Sequence, residues 1–257
     1  MRYTFGVKLL GFIGLSSLLL SCSSSPEVAM PKELRTEILA THPGSTAAFA
    51  QGLEVDRANP NQLLVGTGWH GESRIYRRTI DGGELASKDL KPSEFGEGIT
   101  QYGDHIWQLT WQSGVAYKRD ATSLEVIDKA PISGEGWGLC AMDDHLIMSN
   151  GSATLQVLDP DSFAVQGEIP TGVDKLNELE CVDGQIYANR FLTSEIVRLD
   201  AAGKVTARID ASSLPNNAAQ DPNNVLNGIA HIPGTDRFLV TGKRWPDLYE
   251  VRFVPAD

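Results

Sequence analysis

The chain is 257 residues long, 41% hydrophobic and 21% charged, with 25 glycines and 13 prolines, a profile that argues against disordered, collagen-like and multi-span membrane proteins. Its 22 Lys and Arg face 33 Asp and Glu for a net charge of −11, which argues against nucleic-acid binding, since phosphates need a basic face to displace their counterions. Three cysteines are too few for a disulfide scaffold, and no Cys-x-x-Cys or His-x-x-x-His spacing marks a zinc site.

An export leader comes first. Arg2 and Lys8 precede the apolar run 9–20, and Ser21-Cys22 follows at once, the charged, apolar and small-residue order of a cleaved signal. The run is too short to span a bilayer. Leu19-Leu20-Ser21-Cys22 resembles the lipobox of bacterial lipoproteins, in which the cysteine is acylated and becomes the first mature residue; an ordinary signal with an incidental cysteine competes with this reading. The expected division is a signal peptide at 1–21, a lipidated Cys22 and flexible tether at 22–32, and one domain at 33–257. Such a protein is exported, held on a membrane through its lipid at a periplasmic or extracellular face, and expected to be a monomer.

Beyond the leader no long 3.6-residue period runs; short apolar stretches punctuated by Gly, Asp and Asn predict many short strands and an all-β fold. Thr36-Glu37-Ile38-Leu39-Ala40 is the first strand. One phrase then recurs, a turn pair followed by an apolar strand: Gly103-Asp104-His105-Ile106-Trp107, Asp143-Asp144-His145-Leu146-Ile147 and Asp183-Gly184-Gln185-Ile186-Tyr187, with weaker copies around Leu63 and Phe238. Ile106, Leu146 and Ile186 are 40 and 40 apart. A second phrase, an apolar strand closing on Asp120, Asp159 and Asp200, keeps the same phase with spacings of 39 and 41. Two phrases in phase predict a four-stranded unit repeated five times, a five-bladed β-propeller; a β-sandwich has no reason to keep both in step. The Pro- and Asn-rich stretch 211–224 reads as a surface insertion. The fifth unit ends after its third strand, Leu248-Tyr249-Glu250-Val251-Arg252-Phe253, and the strand at Thr36 to Ala40 is expected to supply the fourth and close the ring. Cys140 and Cys181 fall one position out of phase in successive units, which predicts side chains on opposite sheet faces and no disulfide between them.

The start of each unit carries the candidate chemistry: Phe49-Ala50-Gln51-Gly52-Leu53, Phe95-Gly96-Glu97-Gly98-Ile99, Gly136-Trp137-Gly138-Leu139, Leu176-Asn177-Glu178-Leu179 and Leu226-Asn227-Gly228-Ile229. In a propeller these stretches surround one end of the central channel, where rings, amides and carboxylates would line a small cavity. A carboxylate between Phe95 and two glycines there is partly desolvated, which raises its pKa toward the range useful for proton transfer. Glu97 is the acid/base candidate, and Glu178 or Glu180 could share the role. Lys243 reads equally as a solvated turn lysine or a site residue. Trp107 and Trp245 read as structural fillers, and Asn227 as a turn former. The five histidines share no ligand spacing and read as surface or turn residues; no metal or cofactor is expected.

These stretches, with Trp111 downstream of the second and Val240-Thr241-Gly242-Lys243-x-Trp245-Pro246 after the fifth, resemble the plant and bacterial type of glutaminyl-peptide cyclotransferase from about Phe49 to Phe253. The resemblance implies a five-bladed propeller that converts the N-terminal glutamine of a peptide or protein to pyroglutamate and releases ammonia without a catalytic zinc. It implies Glu97 as proton carrier, Gln51, Asn177 and Lys243 as groups that orient substrate or stabilise the oxyanion, and Phe49, Phe95, Trp111 and Trp137 as walls. The sequence departs from the family at Phe191, where Trp is common and where the retained ring is still expected to serve as a wall, and in Gly66-Thr67-Gly68-Trp69-His70-Gly71-Glu72-Ser73, which matches the family's Ser-Thr-Gly-x-Tyr-Gly-x-Ser only in part. Two rival classes remain: a non-catalytic propeller that serves the cell envelope as a binding platform, and a metal-dependent propeller hydrolase.

Overall fold

Residues 1–4, 6 and 30–256 are described by a computed structural model, and contacts divide the chain into Met1–Met30 and Pro31–Asp257. Cys22, Ser23-Ser24-Ser25-Pro26 and most of the expected leader lie outside the described residues. All regular structure among the described residues is β-strand. After β1 (Lys32–Pro43) come β2 to β5 (Ala50–Val55, Gln62–Thr67, Arg74–Thr79, Glu84–Asp89) and β6 to β9 (Gly96–Tyr102, His105–Thr110, Val115–Asp120, Val126–Pro131). Then follow β10 to β13 (Leu139–Ala141, Leu146–Met148, Thr154–Leu158, Val165–Pro170), β14 to β17 (Leu176–Val182, Gln185–Arg190, Glu195–Asp200, Val205–Asp210), and β18 to β20 (Leu226–His231, Arg237–Gly242, Asp247–Pro255).

Each set forms an antiparallel meander in chain order, and three of them are separate four-stranded sheets. The remaining strands form one eight-stranded sheet in the order β14-β15-β16-β17-β1-β20-β19-β18. Strand β1 makes this join: it pairs antiparallel with β20 from Leu34 to Pro43 and parallel with β17 from Lys32 to Arg35. The pairing with β17 is a contact that strand counting did not anticipate. The architecture is propeller-like.

Burial grades across each meander. The first strands β2, β6 and β18 are almost wholly buried. The third strands β4, β8 and β16 share one alternating pattern, and the fourth strands β5, β9 and β13 are largely exposed. The first strands therefore lie innermost, and they neighbour one another in the cycle β2, β6, β10, β14, β18 and back to β2.

Period-two alternation decides how the sheets pack. In β3, Leu63 and Val65 join a core with Ala230 and Leu239, whereas Leu64 between them joins Ile99 and Ile106. In β11, Leu146 and Met148 pack with Trp107 and Leu109, whereas Ile147 packs with Leu179 and Ile186. Each sheet thus sends alternate side chains into the cores on its two sides.

This packing corrects the cysteine expectation: Cys140 on β10 and Cys181 on β14 form a disulfide, with Cα atoms 5.4 Å apart. Opposite faces of consecutive sheets are the faces that meet, so a one-position phase difference brings the two thiols together instead of parting them. His105 is a second correction, because it is buried and its Nε2 donates to the Pro160 carbonyl at 3.0 Å, beside the Trp107 indole N–H, which reaches the same oxygen at 2.8 Å. Trp107 and Trp245 are buried fillers, the latter donating to the Asn224 carbonyl.

Candidate active site

Four of the five inner strands break register at the same place: β2 between Ala50 and Gly52, β6 between Gly96 and Ile99, β14 between Leu176 and Leu179, and β18 between Leu226 and Ile229. A bulge leaves a residue unpaired and re-aims its side chain. Among the residues released are Gln51, Glu97, Asn177 and Asn227, together with Glu178 beside Asn177. Around the fifth inner strand the backbones crowd instead: a Cβ at Gly138, just before β10, would lie 1.9 Å from the Asn177 carbonyl oxygen. Glycine is required there for the inner strands to approach one another.

The breaks open onto a cavity of about 270 Å³. Gln51, Glu97, Asn177 and Lys243 supply its polar groups, and Phe49, Phe95, Trp111, Trp137 and Phe191 its walls, so the residues the sequence singled out for this site line one space, with the exception of the alternative carboxylates Glu178 and Glu180. Phe95 meets Phe49 edge-on at 6.0 Å and Trp111 at 5.7 Å, and Trp137 meets Phe191 at 5.6 Å. A Cβ at Gly68 would strike the Phe95 ring at 2.2 Å, so that glycine makes room for the wall.

Glu97 is 4% exposed, and its Oε2 has no hydrogen-bond partner. Burial pushes its carboxyl well above the ordinary glutamate value; the Lys243 ammonium and a hydrogen bond from Gln51 pull against that rise, and the Glu135 charge adds to it. Gln51 is held by Asn227, whose Nδ2 donates to Gln51 Oε1 at 2.9 Å and to the Ala50 carbonyl at 3.0 Å. Asn227 is therefore no turn former but the support that orients Gln51. Asn177 Oδ1 is buried and, like Glu97 Oε2, unpartnered. Unpaired buried acceptors are costly, and two of them facing one cavity provide for a ligand's N–H groups.

Lys243 is 4% exposed, which settles the choice against a solvated turn. Its Nζ lies 4.9 Å from the Phe49 ring centroid and 4.7 Å from that of Phe191. Burial pulls its ammonium down to about 8, with the Glu97 charge opposing. Phe191, where the family often has Trp, thus offers a π face to the lysine.

Glu178 and Glu180 are occupied elsewhere. Glu178 Oε1 accepts the Leu53 N–H at 3.1 Å and Oε2 the Ile229 N–H at 2.8 Å, while Glu180 accepts from His231 N–H and Glu54 from Gln101 N–H. These carboxylates satisfy backbone donors of neighbouring inner strands that would otherwise be orphaned. Burial pushes Glu178 and Glu180 well above the ordinary value as well.

Three contributors were not read from the sequence. Trp69 and Asn223 also line the cavity. Glu135 stands behind it: Oε2 accepts the indole N–H of Trp111 at 2.7 Å and of Trp137 at 2.9 Å, and Oε1 accepts from Gln112 at 2.7 Å. Partial burial works to raise the Glu135 pKa, but these hydrogen bonds outweigh it and hold the group below the ordinary value. The sequence does hold a signal for it, because Gly134-Glu135-Gly136 repeats the pattern Gly96-Glu97-Gly98. Among the described residues no cluster of three or more His, Cys, Asp or Glu converges to hold a metal ion.

Comparison with known proteins accords with this geometry. The chain is 29% identical over 233 residues to the glutaminyl-peptide cyclotransferase of Arabidopsis thaliana, spanning 86% of this chain and 72% of that protein. The crystal structure of Myxococcus xanthus glutaminyl cyclase superposes with a TM-score of 0.82 at 33% identity, over 89% of this chain and all of the other. The WD40 domain of Neurospora crassa Pan2 shares the fold alone, with a TM-score of 0.53 at 12% identity over 89% of this chain and 98% of that domain. The profile of the glutamine cyclotransferase family matches residues 13–253. The chain therefore belongs to the glutamine cyclotransferase family.

Proposed function

We propose that this protein converts the N-terminal glutamine of peptides or proteins to pyroglutamate and releases ammonia, with Glu97 carrying the protons and no metal taking part. The observation that carries the reading is a buried glutamate with one free oxygen, enclosed by aromatic rings and accompanied by Asn177 and Lys243. The substrate's α-amine, in its neutral form, attacks the carbon of its own γ-carboxamide. A C–N bond forms, and the carbonyl electron pair moves onto oxygen. Glu97 Oε2 takes one proton from the attacking nitrogen. As the oxyanion collapses, the original C–N bond breaks and Glu97 returns that proton to the leaving nitrogen, which departs as ammonia. The Lys243 ammonium stabilises the oxyanion, and Asn177 Oδ1 accepts a substrate N–H. Gln51, fixed by Asn227, holds Glu97 in place. Confining amine and amide in a small cavity supplies further acceleration, since oriented ring closures reach effective molarities on the order of 10⁵ M or more.

The architecture is read as a five-bladed ring in which the eight-stranded sheet is two blades joined through β1. The cycle of inner-strand neighbours and five cores, each shared between two consecutive sheets, support it. The order of residues 2 to 22 supports export and a lipid anchor on Cys22.

Ammonia release from a Gln-initiated peptide, followed for the wild type and for Glu97→Gln, tests the function. The expected result is turnover by the wild type that persists in a chelator and falls about 10²- to 10⁴-fold in the variant. Absence of turnover in both proteins would overturn the reading in favour of a binding platform.

A further inference from the structure

With its N-terminal glutamine against the buried Glu97, a peptide substrate leaves the cavity of about 270 Å³ through the side open to solvent, and its second residue passes the exposed part of the lining. Trp69 stands there. It is 39% exposed, the one large apolar side chain exposed among the described lining residues. Its backbone φ is +93°, a conformation bulky residues adopt only where their surroundings impose it and one that concentrates at binding sites. The imposition is visible: the Trp69 carbonyl accepts from Glu72 N–H at 3.0 Å and from Ser73 Oγ at 2.7 Å. Ser73 Oγ in turn accepts from Gly96 N–H at 2.9 Å, tying the loop to the backbone beside Glu97. The indole leans on Phe49 at 5.0 Å between centroids. The Arg244 guanidinium lies 5.5 Å from the indole and is held by Glu72 at 2.8 Å. The ring is thus fixed on one side and open to solvent on the other.

We propose that Trp69 is a specificity-determining shelf that stacks the side chain of the residue following the N-terminal glutamine and favours an aromatic group there. The proposal rests on the cyclisation reading. A pre-positioned indole loses little freedom when a second ring lies against it, and the Arg244 cation beside it adds attraction for a π face.

The test is kcat/KM for ammonia release from the amidated peptides Gln-Phe-Ala and Gln-Ala-Ala with wild type, Trp69→Ala and Trp69→Tyr. The wild type is expected to favour the Phe peptide about five-fold. Trp69→Ala removes that preference and Trp69→Tyr keeps part of it. A wild type indifferent to the second residue overturns the proposal, as does a Trp69→Ala protein that loses both activities in proportion. Should Trp69→Ala fail to fold, the same ratio in the wild type and Trp69→Tyr decides. If the wild type releases ammonia from neither peptide, the cyclisation reading fails, and calorimetric Kd values for the two peptides test the shelf alone. Equal values overturn it, and tighter binding of the Phe peptide supports it.

Discussion

Glu97 on β6 and Glu178 on β14 sit one position apart within corresponding register breaks, both are buried, and burial pushes both carboxyls well above the ordinary value. Their partners differ. Glu178 has two backbone N–H donors, one on each oxygen, and joins β14 to β2 and β18. Glu97 leaves Oε2 unpaired and faces an aromatic cavity. Burial and a raised pKa alone do not separate a structural brace from an acid/base group; the unfilled hydrogen-bonding capacity does.

The largest effects break this comparison by exchange. Glu97→Gln is expected to lower kcat/KM about 10²- to 10⁴-fold without lowering the unfolding midpoint. Glu178→Gln turns an amide N–H₂ toward a backbone N–H and is expected to lose about 1–3 kcal/mol of stability while kcat per folded molecule changes less than a few-fold. Denaturant titration alongside the ammonia assay measures both, and a Glu178→Gln protein that is stable but inactive would reverse the two roles.

Next in size is the link between the third and fourth units. Replacing Cys140 and Cys181 together by Ala opens a 41-residue separation and is expected to cost about 2–4 kcal/mol of stability. An unchanged midpoint under non-reducing conditions would show that the two thiols are not joined.

Stability against pH is a smaller, distributed effect. Burial raises the carboxyls of Glu54, Glu97, Glu178 and Glu180 above 4.5. Above that pH the folded chain keeps protons that the unfolded chain has released, so the stability these groups contribute is complete below about 4.5 and is lost as pH rises through their folded values. Denaturation midpoints are therefore expected to fall between pH 5 and 8. A rise over that interval would contradict the burial of these groups.

The smallest effect separates the two ends of the rate profile. Glu135→Gln removes a charge that raises Glu97, so the acidic limb of kcat/KM is expected to move to lower pH. Lys243→Arg is expected to move the alkaline limb upward from near the lysine value of about 8. Limbs that stay in place would show that neither the Glu135 charge nor the protonation of Lys243 governs the rate.

Much of the fold was legible because strands write themselves with a period of two, and a unit that recurs every 40 residues keeps its turns in phase. Nine of the eleven cavity residues were legible: Phe49, Gln51, Phe95, Glu97, Trp137 and Asn177 stand at the heads of units, where glycine, ring and polar group alternate, and Trp111, Phe191 and Lys243, which follow second strands, were legible through the family resemblance. The second layer was not. Glu135 and Asn227 act through other side chains, and nothing local to Gly134-Glu135-Gly136 says that two distant indoles share one carboxylate. Trp69 occupies a variable position of its motif, and only its exposure and positive φ mark it.

Local composition by itself determined the strands, their meanders and the type of side chain offered at the head of each unit, since propensity and alternation act over a few residues. Packing between sheets decided the rest. It joined Cys140 to Cys181, gave Glu178 its two backbone partners and denied them to Glu97. Which face of one sheet meets which face of the next is a property of the assembled sheets, and no short stretch of chain encodes it.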